Sequence, residues 1–296
     1  MSPIVSIIIP TFNRAKELKR AISSIYSQTF TDWEVIVVDN NSNDGTYEYI
    51  KNIDNNKIRF FSIQNDGVIA SSRNLGINNA QGKYIAFLDS DDWWDPNKLE
   101  ISIKYLINGA SIVYHDLYRV KKSQQIFHFR KSKTRNLSRP VFDDLLANGW
   151  ALNNSSVVIL RSLLEQIGGL SINKNLVGAE DYDAWLKISQ LTEDFIRIPK
   201  TLGYYWEGGG NTSNPLRKLK NIREIESIYK EKIEYLKLSQ FFYHNDFVNA
   251  RANYLIGNYD LSKKYLDVVL NNKIPFMFYI KSKILILLII LKKYDF

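Results

Sequence analysis

The 296-residue chain reads as an α/β protein: a mostly parallel sheet flanked by helices, followed by a helical C-terminal extension. Three observations carry this expectation. Short runs such as Val5–Ile9 and Tyr84–Leu88 are apolar throughout, as strands covered by helices on both faces are. Segments with helical apolar spacing alternate with these runs over short links. Four strand ends, at Pro10–Asn13, Asp39, Asn65-Asp66 and Asp89–Asp92, carry polar residues, and such carboxyl-terminal ends build the ligand crevice of an open α/β sheet.

The elements follow in order. After the first strand, residues 16–28 place Leu18, Ala21, Ile22 and Ile25 on one helix face. A strand over 34–38 ends at Asp39. In the Asn40–Gly45 turn that follows, Gly45 supplies positive φ and Asn/Asp side chains close Asx turns. A helix over 46–53, a strand over 58–61, a helix over 70–80 and a strand over 84–88 continue the alternation. A helix over 96–107 and a strand over 111–114 come next. Residues 119–139 are basic and irregular, predicting a solvated hairpin or loop. A helix over 140–148 and a strand over 156–160 precede a short helix at 162–167. Gly168-Gly169 closes that helix, a left-handed stop. Gly178–Asp183 opens a helix to 191, with Asp181, Trp185 and Ile188 near one face. A strand over 195–198 and a Gly208–Ser213 loop end the first domain, read as residues 1–215. The second is read as residues 216–296.

Composition narrows the function classes. With 45% hydrophobic and 24% charged residues the chain is an ordered globular protein. It has no cysteine, which excludes disulfides, thiolate metal sites and redox chemistry at sulfur. Met1-Ser2-Pro3 leads straight into a strand without a basic or apolar leader region, so a cytoplasmic location is expected. Residues 216–296 hold 15 Lys/Arg against 8 Asp/Glu, leaving almost all of the formal +8 charge in the tail. That asymmetry points to an anionic partner. Nucleic acid is disfavoured, since the tail shows no Gly-rich RNA loop, aromatic-studded strand or helix-turn-helix pattern. In Ile274–Leu291 the lysines Lys281 and Lys283 leave an apolar stretch too short to span a bilayer. A helix lying in an anionic membrane interface is expected, with packing on the preceding helix hairpin around Gly257–Asp260 as the alternative. The C-terminal helices are also a candidate oligomer element.

The chemistry is concentrated in Asp89-Ser90-Asp91-Asp92. Three acids at the end of a buried strand repel one another and lose hydration. A divalent cation with a preference for oxygen ligands removes that penalty. Taken alone, the triplet fits a helix-capping turn equally well.

Five segments in order settle the context: SIIIPTFNR (Ser6–Arg14), VVDNNSNDGT (Val37–Thr46), SRNLGINNA (Ser72–Ala80), GKYIAFLDSDD (Gly82–Asp92) and GAEDYDAW (Gly178–Trp185). Together they resemble family 2 bacterial glycosyltransferases with the GT-A fold, over residues 3–213. The tail resembles, loosely, that of O-antigen and capsular polysaccharide transferases. The resemblance implies an inverting, UDP-sugar-dependent hexosyltransferase. Pro10 and Phe12 would wall the base, Asp39 would accept from uracil N3–H, and Asn65 would touch the base. Arg73 would approach the ribose or diphosphate. Asp89 and Ser90 would lie beside ribose and sugar, and Asp91 would hold Mn²⁺ or Mg²⁺. Asp181 would act as general base, kept ionised at a helix N-terminus, with Glu180 binding the acceptor. That acceptor would be an undecaprenyl-diphosphate-linked saccharide, extended at the inner face of the bacterial membrane by a peripherally attached enzyme.

The chain departs from the family pattern at Tyr204–Gly208, where many relatives carry a metal-binding His and this chain offers Glu207. Its histidines are His115, His128 and His244, and His115 is expected to be structural. A degenerate, scaffold-only transferase would be recognised by loss of Asp39, Asp91 or Asp181. All three are present. A nucleotidyltransferase would carry a basic Gly-rich loop where this chain has Pro10-Thr11-Phe12-Asn13.

Overall fold

The structure, a computed structural model, describes residues 2–121, 129–208, 214–236, 239–272 and 274–294. The chain divides into two compact units, Met1–Val141 with Trp150–Gly210, and Phe142–Gly149 with Asn211–Phe296.

The first unit opens with β1 (Val5–Thr11), α1 (Ala15–Tyr26), β2 (Trp33–Asp39), α2 (Thr46–Lys51), β3 (Ile58–Ser62), α3 (Ile69–Asn79) and β4 (Tyr84–Phe87). β1 pairs in parallel with both β2 and β4, and β2 with β3. Every residue of β1 and β2 is buried, which is why these runs show no alternation. Glu34 inside β2 is tolerated because Ser6 Oγ donates to it at 2.6 Å, Gln81 N–H at 2.7 Å and Arg59 at 3.0 Å. Gly76 lets α3 lie close against the sheet: a Cβ there would sit 2.6 Å from Ile8 Cγ2. Gly45 has φ +86°, the left-handed turn expected from its place after the Asn-rich run.

The second half of the sheet is mixed. It comprises β5 (Trp93–Trp94), α4 (Lys98–Ile107), β6 (Ile112–Val120), β7 (Lys131–Ser132), β8 (Val158–Leu160), α6 (Arg161–Gln166), α7 (Glu180–Ile188) and β9 (Phe195–Trp206). The helix α5 (Val141–Asn148) intervenes before β8. Strand order is β3-β2-β1-β4-β8-β6-β9-β5, with β7 on β6. β8 runs antiparallel between β4 and β6, β5 antiparallel to β9, and β6 parallel to β9 with two irregular registers near Asp116.

Here the structure extends the expected elements. β6 and β9 run to Val120 and Trp206, beyond the strands expected at 111–114 and 195–198. Their later halves mix aromatic and charged residues, so they lack the apolar run that marked the others. Pairing with each other holds them. Buried Asp116 is satisfied by Thr134 N–H and Oγ1 and by Arg197. β5 and β7 are two residues each, too short for any period. β7 pairs β6 within the basic stretch, the hairpin alternative expected there; residues 122–128 and the loop 209–213 lie outside the described residues. α7 stops at Ile188 rather than 191.

The second unit contains most of α5 together with α8 (Pro215–Ile228), α9 (Lys230–Leu236), α10 (Ser239–Leu255), α11 (Tyr259–Leu270) and α12 (Phe276–Tyr294). α10 and α11 form the hairpin expected around Gly257, whose φ is +84°. Ala250, Leu266, Leu285 and Ile289 make its core. α12 therefore packs one side on the hairpin and leaves Ile284, Leu287, Leu288 and Leu291 exposed. Among the described residues no helix is long and apolar enough to cross a membrane.

Candidate active site

The carboxyl ends of β1, β2 and β3 are stitched together by short polar side chains. After β1, Phe12 stands 53% exposed while Pro10 and Thr11 are buried. Asn13, at φ +50°, donates its N–H to Ser42 Oγ and accepts from Asn43 N–H at 2.9 Å. Asp39 is almost wholly buried and accepts from Ser42 N–H at 2.9 Å and from the Ser42 hydroxyl. Asn65 N–H donates to Asn40 Oδ1 at 2.8 Å, its Nδ2 donates to Ser72 Oγ, and its Oδ1 accepts from Gly67 N–H. An exposed aromatic face and a buried carboxylate thus share one rim.

The acidic turn after β4 is held from several sides. Asp89 N–H donates to Ser155 Oγ at 3.1 Å, and Asn154 Nδ2 lies 3.4 Å from Asp89 Oδ1. Ser90 is buried. Asp91 pairs with Arg14 at 2.8 Å, and its backbone carbonyl accepts from Arg20 at 2.6 Å. The Arg20 guanidinium lies over Trp93, 3.8 Å from the ring centre, and near Trp206. Asp92 accepts from Trp206 N–H at 2.9 Å and closes the turn with its own N–H on Asp89 O. Burial, and then the charge of Asp89, push the Asp91 carboxyl up against the pull of Arg14. Burial and the neighbouring acids push Asp92 up further.

Arg73 joins this turn to α7. Its side chain is buried and donates to Asp89 at 2.6 Å and to Glu180 at 2.6 Å. Burial opposes the Arg73 charge, but Asp89 and Glu180 outweigh it and raise its pKa. Glu180 also accepts from Gly178 N–H at 2.5 Å. Asp181 is half-buried and accepts from Tyr182 N–H at 2.7 Å. Burial first, then the charge of Glu180, drive its carboxyl up to about 7, with Arg73 pulling the other way. The backbone donors of the helix N-terminus, expected to keep Asp181 ionised at neutral pH, are opposed by desolvation and a second acid.

Among the described residues, no three His, Asp or Glu side chains group as a ready-made metal cage. The residues nevertheless suit a hard cation. Such ions are held by one or two carboxylates together with substrate phosphates, and the turn carries a surplus of mutually repelling carboxylates with Asp91 partly open. Glu207 is engaged by Arg119, with Arg130 at 3.9 Å. His115 is buried, with Nδ1 2.9 Å from the Asp116 carbonyl oxygen, and burial drives its pKa down to about 3. It is a neutral core residue. His128 and the His244 side chain lie outside the described residues.

The structure thus brings Arg73, Asp89 and Glu180 into one contact chain, with Asp181 beside Glu180, and gathers Phe12, Asp39 and Asn65 at neighbouring strand ends. Sequence reading missed Asn154 and Ser155, which support Asp89 from a short 3₁₀ turn (Asn154–Ser156). Their only signal was a polar Asn-Asn-Ser-Ser run before a buried strand. It also missed the Arg14 and Arg20 contacts with Asp91.

Comparison with known proteins identifies the family. The model of "Glycosyl transferase family 2" matches residues 6–167. The chain is 31% identical over 186 residues to the UDP-Glc:alpha-D-GlcNAc-diphosphoundecaprenol beta-1,3-glucosyltransferase WfgD of Escherichia coli, covering 62% of this chain and 69% of the relative. Among solved structures, S. aureus TarS 1-349 in complex with UDP-GlcNAc superposes with TM-score 0.61 at 19% identity, covering 85% of this chain and 71% of TarS. The mannosyltransferase PcManGT from Pyrobaculum calidifontis, in complex with GDP-Man and Mn²⁺, superposes with TM-score 0.58 at 18% identity, covering 93% and 77%. These two likenesses speak to the fold alone. With the family model covering more than half of its length, the chain belongs to glycosyl transferase family 2 and has the GT-A fold.

Proposed function

We propose that this glycosyltransferase moves a hexose from a UDP-sugar, with inversion, to a hydroxyl of an undecaprenyl-diphosphate-linked saccharide in surface polysaccharide synthesis (O-antigen or capsule). The observation that carries the reading is the buried Arg73 bridge, which ties the acidic turn to the helix bearing Asp181. Donor and acceptor chemistry need those two elements at one fixed spacing.

On the donor side, Phe12 beside Pro10 offers the base a wall. Asp39 has lone pairs beyond those used by Ser42 and accepts from uracil N3–H, with Asn65 alongside. Asp89 and Ser90 border ribose and sugar. Asp91 would hold Mn²⁺ or Mg²⁺, which supplies Lewis-acid stabilisation of the departing diphosphate. Asp181 takes the proton of the acceptor hydroxyl as its oxygen bonds to the anomeric carbon. The bond from that carbon to the diphosphate oxygen breaks, and the diphosphate leaves with the electron pair. Glu180 is fixed by Arg73 and Gly178 and lines the acceptor side next to the base.

A UDP donor and a lipid-linked acceptor are both supported by the activity for which WfgD is named. The neighbour with GDP-Man makes a guanine nucleotide the second reading. The basic tail and the exposed apolar side of α12 support peripheral attachment to the anionic inner face of the plasma membrane. A screen of nucleotide sugars by nucleotide release, run with alkyl-diphosphate-sugar acceptors, tests the reading. Release from UDP-hexoses is expected, and release from GDP-mannose alone would overturn the donor assignment.

A further inference from the structure

Trp150 is 44% exposed, although it stands in a firmly held segment. Its indole lies against the ring of Tyr182, with centroids 4.3 Å apart and planes at 24°. Tyr182 is itself buried and follows Asp181 directly. Beyond Trp150 the segment is anchored by buried Ala151 and Leu152, by the bond from Arg135 N–H to the Ala151 carbonyl at 3.3 Å, and by Ser132 Oγ on Asn153 Oδ1 at 2.9 Å. It then reaches Asn154 and Ser155, which touch Asp89. One short segment therefore starts on the first turn of α7 and ends at the acidic turn.

An indole stacked on a buried ring is oriented in advance, so a flat partner meets it at little conformational cost. Two polar groups belong to the elements this stack joins: Asn154, further along the same segment, reaches Asp89, and Asp181 directly precedes the stacked Tyr182. A pyranose has the matching chemistry: a C–H-rich face for the ring and a hydroxyl rim for the polar groups. A polyisoprenoid chain would need a continuous apolar groove instead. Phe12, also exposed, follows β1 on the side proposed for the nucleotide.

We propose that Trp150 is the stacking platform for a pyranose ring of the acceptor saccharide. The proposal rests on the transferase reading above and names the acceptor side of the same site. Tyr182 is the positioning residue that holds the indole flat.

The test compares the full-length wild type with Trp150→Ala and Trp150→Phe. UDP release is followed with UDP-glucose and UDP-N-acetylglucosamine as donors and alkyl-diphosphate-linked N-acetylglucosamine as acceptor; UDP binding is measured by calorimetry. Loss of the stack in Trp150→Ala should raise acceptor KM roughly tenfold, with kcat and UDP affinity held. Trp150→Phe should recover most of that loss. An unchanged acceptor KM in Trp150→Ala overturns the platform. So does a matching fall in UDP affinity in both variants, which marks a packing role. If the wild type binds no UDP and releases none from either donor, the UDP-hexose reading above fails and takes the platform with it.

Discussion

Arg73 and Glu180 stand 107 positions apart in the chain and meet in its interior at 2.6 Å. The same guanidinium reaches Asp89 at 2.6 Å, so one buried cation serves two acids from different elements. Breaking a buried pair leaves a charge without its partner, at about 3–5 kcal/mol. Arg73→Met should destabilise the first unit by an amount of that order in chemical denaturation. Arg73→Met combined with Glu180→Gln should be less damaged than the sum of the single changes. Strict additivity would show that the two side chains do not interact energetically.

Asp181→Asn preserves shape and removes proton acceptance. Turnover should fall on the order of 10²–10⁴-fold with UDP affinity nearly unchanged. Near-normal turnover in a folded variant would leave Asp181 as a helix-terminal residue only.

Its raised pKa also sets the pH dependence. The base must be ionised, so kcat/KM should climb with pH and level off above about 7. For stability the sign is opposite. A carboxyl whose folded pKa lies above the unfolded value of about 3.9 favours the fold when protonated. That contribution is full below the unfolded value and disappears as pH rises through about 7. Asp181→Asn should therefore raise Tm relative to wild type at pH 8 and leave it little changed at pH 4. Equal Tm differences at both pH values would contradict the shift.

Asp39→Asn should weaken UDP binding, since a hydrogen bond to a charged group contributes about 1.5–3 kcal/mol. Calorimetry should also find UDP preferred to GDP in the wild type, and the preference reduced in the variant. Equal affinity for both nucleotides would remove Asp39 from base recognition.

Asp91→Ala should abolish transfer while the chain stays folded, because it takes one charge from a crowded turn. Excess chelator should have the same effect on the wild type. Full activity in chelator would refute a metal role.

For the tail, the structure selects which residues to change. Leu285 and Ile289 belong to the core of the second unit, whereas Leu287 and Leu291 are exposed. Leu287→Glu with Leu291→Glu should release the protein from anionic vesicles without unfolding it. Each Lys/Arg near such a surface contributes about 1 kcal/mol, so salt should weaken the wild-type association in part. Wild-type indifference to anionic vesicles at low salt would end the membrane proposal.

The parallel half of the sheet was legible because β1, β2 and β4 are buried on both faces and must be apolar throughout. The helices α1 and α3, Gly45 and the acidic turn follow from equally local rules. The later strands were not legible to their full length. The second half of β6, with His115, Asp116 and Arg119, is stable only through β9 and through partners such as Thr134 and Arg197. Sequence also placed Asp181 at the start of a helix, where backbone donors favour its charge. The rise in its proton affinity comes from desolvation and from Glu180, against Arg73, which only the packed structure brings together. Local sequence determines what a segment buries and how it turns. The fields and contacts at the site are sums over residues distant in the chain, so tertiary structure alone decides that Arg73 spans Asp89 and Glu180 and that Trp150 lies flat on Tyr182.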